Sequence, residues 1–541
     1  TATATDGDGD QTTASADISS QLAFEDDRPP THSVTAGTIL HDEAQSLFKP
    51  NFGGHGDVFP SVNTTSGNAG TLFDTGVDGF KSLSFTPPSG IEAIYKLNTG
   101  FAGQETVHYT TTTSSGHTIL TAIGDVTGNT IFTLNVGNDG SYTFTVDEPL
   151  VQPIHSVIED NLPINVGFTI TDGDGDSDTG SLTVKVNDDT PVVDVSQAET
   201  GEGRHQQDVT LSTLTLDESI GPNTVSDPNA HNDDNGSVTT PSFITSPDSA
   251  LAIGILSTPT SANGTSVADL FNVNVSFGAD GPQSAAVYNY NLVLTDDHGH
   301  TVSAGSSNGV ETNLVVTDLF GAPYQGTTDA QRTIYLFHDA DGSIVGRVGD
   351  NPNGDVALHI VITGSASDPQ ITVEQYVPIE HPNTSNPDDS QLLTFDDHDA
   401  SLSINLTVSA TDGDGDTATD SKTITLADSQ HSFVSIQDDG PSITSMYSSG
   451  TVVQDETPGV QDAADPNPAN DVAGSGLPTG VLTLFNDIVN HGTDTNVSPG
   501  LLDNGALGFA TSPSPIVHLA AVFGTDGPAL SNAQVVSLSL T

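Results

Sequence analysis

The hexapeptide TDGDGD occurs at 5–10, 171–176 and 411–416. Each copy sets three carboxylates at alternate positions: Asp6, Asp8 and Asp10; Asp172, Asp174 and Asp176; Asp412, Asp414 and Asp416. Carboxylates this close repel one another, so the pattern is understandable if a cation holds them. Calcium suits it, because the ion takes about six to eight oxygen ligands in irregular geometry. The intervening glycines let the backbone curl and offer carbonyls as well. D-x-D-x-D also opens the EF-hand loop, but no helices flank these copies and no glutamate stands at the twelfth position. Zinc prefers Cys and His, and magnesium demands stricter geometry. The competing reading is a flexible acidic turn, and three equivalent copies favour the metal.

Two further acidic pairs recur in step. Asp26-Asp27, Asp188-Asp189 and Asp438-Asp439 lie in DDxP segments after each hexapeptide. Asp42-Glu43, Asp217-Glu218 and Asp455-Glu456 follow each proline. Their placement predicts linkers that share calcium with a neighbouring DE pair; an ordinary proline-stiffened linker is the alternative. FGADGP (277–282) returns as FGTDGP (523–528), and YNYNLVLT (288–295) is answered by VVSLSLT (535–541). Asp280 and Asp526 read as turn residues first and metal ligands second.

The elements that must position these groups are strands. Leu402, Ile404, Leu406 and Val408 alternate into the third hexapeptide, and Ile424 and Leu426 alternate out of it. Ile164, Val166, Phe168 and Ile170, then Leu182, Val184 and Val186, do the same around the second. Period-two alternation on both sides of a Gly-Asp stretch predicts a hairpin. GNDGSYTFTV (137–146) predicts another, turned at Asn138-Asp139-Gly140. SDPNAHNDDNGS (226–237) and DAADPNPANDVAGSG (462–476) read as long loops, and no convincing amphipathic helix is present.

The expected architecture is all-β: tandem Ig-like β-sandwich modules in an elongated rod, stapled by calcium. Residues 1–27 read as the C-terminal part of one module and 28–189 as a shorter module lacking FGxDGP. Residues 190–439 read as a large module of one or two sandwiches, and 440–541 as the N-terminal part of another. Both ends then cut through a module, as expected for a segment of a longer repeat array.

Composition narrows the function. The chain has 541 residues, with 71 Asp+Glu against 9 Lys+Arg and a formal charge of −62. Nucleic acid and anionic membrane surfaces are therefore poor partners. Unscreened, the charge opposes compaction; bound divalent cations would relieve it, and salt adaptation is the bland alternative. A hydrophobic content of 34% in alternating runs argues against disorder. There is no cysteine, so no disulfide staples the fold. No run approaches transmembrane length and no cleavable signal opens the sequence.

TDGDGDTA, DDGP, LDE and FGADGP followed by a strand resemble the repeat modules of bacterial repeats-in-toxin (RTX) adhesins, the large β-sandwich repeats of type I-secreted giant surface proteins. The module at 190–439 carries all four marks. The resemblance implies a calcium-rigidified extender on the bacterial cell surface, exported unfolded and folded by calcium outside. The glycine nonapeptides that name the class are not visible; GGHGDVF (53–59) is one imperfect echo.

Seventeen histidines invite a search for catalysis. DDHGH (296–300), FHDADG (337–342) and FDDHDA (395–400) could hold a metal or an acid/base pair, but loop decoration is the commoner role, and no H-E-x-x-H, G-x-S-x-G or phosphate-loop pattern appears. FHDADGS more plausibly turns a hairpin, with Asp339 and Asp341 as conceivable calcium ligands. A non-enzymatic role is expected. The main reading is a structural extender whose partners are neighbouring modules and, through strand exchange, identical chains in a filament. The alternative is a calcium-dependent polysaccharide-binding module. The chain has no Trp and 9 Tyr, few of the aromatic platforms that sugars prefer, which favours the extender.

Overall fold

The computed structural model describes residues 1–23, 25–42, 59–154, 159–200, 207–218, 252–255, 266–318, 326–386, 389–438, 441–450, 516–523, 534 and 536. Within these the chain is all-β, and the one α-helix, Asp329–Arg332, is four residues long. No helix among the described residues is long and apolar enough to cross a membrane. The two long loops predicted at 226–237 and 462–476 and the segments 53–58 and 524–528 lie outside the described residues.

Two apolar cores organise the molecule. The first draws its buried residues from Ala36 to Val186. It lies under a six-stranded sheet and a four-stranded sheet. The six-stranded sheet is a meander from Glu92–Lys96 through Ala102–Ser114, His117–Gly124 and Thr130–Gly137 to Tyr142–Val146, with Thr64–Gly67 on its last strand. The second core draws from Val195 to Ile436 and forms one contiguous cluster. Its six-stranded sheet repeats the same order, from Val310–Val315 through Thr333–His338, Ile344–Val348 and Val356–Ser365 to Asp368–Gln375, with Ala252–Ile255 on the last strand. Sheets that share one core in this way are consistent with a β-sandwich.

The long hairpins stand where alternation puts them. In the first body Asn161–Asp172 pairs antiparallel with Ser177–Asn187. Ile164, Val166, Ile170, Leu182, Val184 and Val186 are fully buried, while the intervening positions face outward. A one-residue slip would turn every one of these side chains to water, at about 2 kcal/mol each, so the register is fixed. The second body repeats this with Ser401–Thr411 and Thr417–Ala427. Each body also closes with a parallel pair, Ser33–His41 on Ser177–Asn187 and Leu214–Asp217 on Val434–Gln437.

The residues flanking the two cores form two-stranded antiparallel sheets. Ala2–Thr5 pairs with Gln11–Ala14, and Ser442–Ser448 pairs with Val517–Val522.

Candidate metal centre at the junction of the two bodies

The tip of a long hairpin and its open end carry different parts of the acidic pattern. In the first body, Asp172–Asp176 form the tip, and the outgoing strand delivers Asp188 and Asp189 at the other end. There the tip of the second body, Asp412–Asp416, reaches over. The Gln104 side-chain amide donates to the Gly413 carbonyl at 2.9 Å, and the Gln152 backbone N–H donates to Asp414 Oδ2 at 3.1 Å. The Ala102 N–H donates to the Pro282 carbonyl at 2.8 Å, so FGADGP also belongs to this contact. Gly413 is required by the approach: a Cβ there would lie 2.6 Å from the Asp280 carbonyl oxygen and 2.7 Å from Ala102 Cβ.

Six aspartates from both bodies are sealed in this junction: Asp42, Asp188, Asp280, Asp412, Asp414 and Asp416, none more than 4% exposed. Asp188, Asp280 and Asp414 offer oxygens within 4.8 Å of one another. Both oxygens of Asp280, Oδ1 of Asp188 and Oδ2 of Asp412 are buried with no hydrogen-bond partner. Burial pushes the Asp188 carboxyl up to about 11, helped by repulsion from Asp42, Asp414, Asp416 and Asp412. Burial likewise raises Asp412 to about 10, with Asp414 and Asp416 adding to it. Asp280 is raised well above the carboxylate range by burial and by Asp42, Asp188, Asp414 and Asp412. Among the described residues no lysine or arginine pairs with Asp188, Asp280 or Asp412. The donor set is all oxygen, it comes from several segments, and the four buried oxygens just named on Asp188, Asp280 and Asp412 lack donors. A hard divalent cation such as calcium fits these residues.

Asp189 supports the site from behind. Its Oδ2 accepts the Ala279 N–H at 2.6 Å, which fixes the FGADGP turn. Gly278 adopts φ +68°, and a Cβ there would lie 2.7 Å from the Asp189 carboxylate.

The same arrangement recurs at the other end of the first body. Asp27 Oδ2 accepts the Val77 N–H at 3.0 Å, as Asp189 accepts that of Ala279. A Cβ on Gly173 would meet the Asp78 carbonyl at 2.2 Å, as one on Gly413 would meet that of Asp280. Thus TGVDG (75–79) is the counterpart of FGADG (277–281), which corrects the expectation that the first module lacks this turn. Asp26, Asp78 and Asp174 converge as Asp188, Asp280 and Asp414 do, but all three are exposed. Protein cations stand here: Arg28 Nε lies 3.7 Å from Asp176 Oδ2. Burial works against the Asp172 charge, but the Gly175 N–H, Asp174, the Asp176 N–H and Lys81 outweigh it and hold its pKa below the usual value. Asp174 rises to about 6, chiefly through its hydrogen bond with Asp172.

A third set lies at the matching end of the second body. Glu218, His381 and Asp438 offer atoms within 4.8 Å of one another. Glu218 Oε1 accepts from the Ile379 N–H at 2.9 Å and from the Gln375 amide, and His381 Nε2 lies 3.7 Å from Glu218 Oε2. Strand register aligns His41 with Asp217, since these pair with Asn187 and Gln437. Asp42 therefore corresponds to Glu218, not to Asp217, a one-residue correction to the DE alignment. The DDxP acids keep their register, Asp188 matching Asp438.

The remaining predicted residues separate. Asp6, Asp8 and Asp10 converge in the Ala2–Thr5/Gln11–Ala14 turn, fully exposed, with Asp6 accepting the Asp10 N–H at 2.9 Å. Glu43, Asp439, Asp455 and Glu456 lie outside the described residues, and only the backbone of Asp217 is described. Asp339 and Asp341 sit in a hairpin turn, where Asp341 caps Ser343 at 3.0 Å and Asp339 faces Arg347 at 3.7 Å. DDHGH and FDDHDA face an open polar cleft of about 290 Å³ lined by Asp296, Asp297, Glu311, Tyr335, Asp396 and Asp397. Asp78, Asp280 and His381 are residues the sequence reading left out of its ligand set, and for the two aspartates a sequence signal existed. The shared Gly-x-Asp-Gly was the available signal, hidden because the flanking Phe and Pro differ.

A family model described as a domain of unknown function (DUF5801) matches residues 213–425. No curated protein matches in sequence. Among solved structures, the C-terminal domain of the Streptococcus agalactiae AgI/II polypeptide BspA is 8% identical, with 67% of this chain and 82% of that chain covered, at a TM-score of 0.11. Extracellular cadherin domains 1–4 of protocadherin gamma B7 are 10% identical, with 63% and 71% covered, at a TM-score of 0.09. Scores this low carry no argument.

Proposed function

We propose that the chain is a structural extender region of a calcium-dependent bacterial surface adhesin of the RTX type, not an enzyme. Its Ig-like sandwich bodies would line up as a rod, with Asp188, Asp280 and Asp414 holding calcium where one body meets the next. The observation that carries this reading is the junction itself. Six buried aspartates drawn from two bodies make a poor contact unless their charge is offset. Bound calcium would supply that charge and link the two bodies in one step. At millimolar calcium and extracellular-type affinities, each such site adds on the order of 1 kcal/mol or more. In a low-calcium compartment the same carboxylates would hold the bodies apart, which suits export of an unfolded chain through a type I channel. Acidic end clusters on both bodies support linkage to further modules, and strand exchange with identical chains stays a proposal of the same kind.

Small-angle X-ray scattering on the whole chain, with calcium and with excess chelator, tests this. The expected result is a long, stiff particle in calcium that becomes flexible or shortens in chelator. Identical profiles would overturn the reading.

A further inference from the structure

We infer that Glu218, His381 and Asp438 form a transition-metal site of the zinc class within the second body, with the histidine setting the choice of ion. The site stands apart from the calcium reading of the junction, because all three ligands belong to one body. The parallel register of Leu214–Asp217 on Val434–Gln437 brings Glu218 and Asp438 side by side where the two strands end. The Glu218 N–H donates to the Gln437 carbonyl at 3.1 Å, and the Asp438 N–H to the Asp389 carbonyl at 2.8 Å, so both backbones are anchored. His381 arrives two residues after Ile379, whose N–H donates to Glu218 Oε1 at 2.9 Å. That bond and the Gln375 amide fix Oε1, and Oε2 faces the imidazole, with His381 Nε2 3.7 Å away. This is too long for a hydrogen bond, and it suits two atoms that each lie about 2.0–2.1 Å from one zinc ion. Asp438 offers an oxygen within 4.8 Å of both. The side chains of Glu218 and His381 are 0% and 3% exposed, so the pair is shielded from water.

The first body shows what the histidine changes. Ala93 bridges to Leu150 as Val316 bridges to Ile379, and the Ile94 and Thr317 N–H groups donate to the carbonyls of Pro149 and Pro378. Leu150 therefore matches Ile379, and Gln152 matches His381. Asp42 and Asp188 match Glu218 and Asp438. Where the first body sets two carboxylates beside an amide, the second sets two carboxylates beside an imidazole. Calcium is a hard ion that takes oxygen ligands. Imidazole nitrogen suits zinc and its neighbours in the transition series. Two carboxylates balance the charge of one divalent ion, and three protein ligands leave a fourth position for water. Bound metal would tie two strand ends to the segment after Ile379 and so close this end of the second body without calcium.

Crystals of the full chain grown in calcium and soaked in zinc test the site. Anomalous maps at the zinc edge should show a peak about 2.0–2.2 Å from Glu218, His381 and Asp438. Zinc only at exposed histidines such as His298, or no zinc at all, would overturn the site and leave the calcium reading of the junction standing. In solution, with calcium saturating, the full chain should bind one zinc whose affinity falls in His381→Gln, the change that copies Gln152. The fall should be at least about tenfold, since losing even an outer-shell partner of a metal ligand costs that much. An unchanged zinc affinity would overturn the site. The crystallographic arm uses the unaltered chain, so it decides the matter even if the variant folds poorly.

Discussion

The clusters at the two ends of the first body are built from the same three pieces: a linker aspartate, a Gly-x-Asp-Gly turn and the middle aspartate of a hairpin tip. They differ in what covers them. Asp26, Asp78 and Asp174 are open to water, with Arg28 and Lys81 alongside. Asp188, Asp280 and Asp414 are sealed beneath a second body, and the positions matching Arg28 and Lys81 are the neutral Thr190 and Gln283. Asp172 is accordingly held below its usual value, whereas its counterpart Asp412 is raised to about 10, chiefly by burial. A repeated motif therefore has a local geometry of its own, while its electrostatic demand comes from the neighbour that covers it. Water and two cationic side chains can satisfy the first cluster. The second requires ions or protons.

The protonation arm should give the largest effect. Without metal, Asp188, Asp280 and Asp412 have pKa values far above those of an exposed carboxylate. The docked form thus binds more protons than the undocked form, and docking is fully favoured only below about pH 4. It weakens as pH rises through the window up to about 10 for Asp412 and about 11 for Asp188, by as much as about 1.4 kcal/mol per pH unit for each group. Spin labels on the two bodies, in chelator, should report close docking near pH 4 and separation at pH 8, with calcium restoring docking at pH 8. A label distance that ignores pH in chelator would break the comparison.

Asp280→Asn comes next. In calcium it should cost about 3 kcal/mol of junction stability, whereas Asp78→Asn should cost less than about 1 kcal/mol at its exposed site. Calorimetry of both variants in calcium separates them. In chelator Asp280→Asn should move the other way and favour docking, because it removes a buried charge that has no partner. Equal losses for the two variants would mean that burial does not distinguish the sites.

Gly413→Ala places a methyl group against the Asp280 carbonyl and Ala102 at once, so it should weaken docking by about 1–3 kcal/mol. Hydrogen exchange should then rise at the junction while the hairpin amides of Ser401–Thr411 stay protected. Gln104→Ala removes one side-chain hydrogen bond across the junction and should cost about 1 kcal/mol. A shift in calcium midpoint, read by label distance, is sensitive enough to detect it.

Much of this was legible from the residues alone. Alternating Ile, Val and Leu around the second and third TDGDGD mark the hairpins, because only one register hides them from water. The Asp-Gly spacing marks loops whose carboxylates repel one another, which is why a cation is proposed for them. Asp280 was harder to see, since GADG reads as a turn and a turn aspartate is normally solvent-exposed. TGVDG was missed because Thr75 and Phe80 stand where FGADGP has Phe277 and Pro282.

The sequence by itself determined the strands, their inward faces and the three acidic loops, since period-two burial and carboxylate spacing are properties of contiguous residues. Tertiary structure decided which acids meet. Asp42, Asp188, Asp280 and Asp414 are separated by up to 372 residues in the chain, and they converge only because Gly413 lets one hairpin tip lie on the neighbouring body. Burial, and with it the need for ions or protons to offset the charge, is a property of that contact and of no single loop.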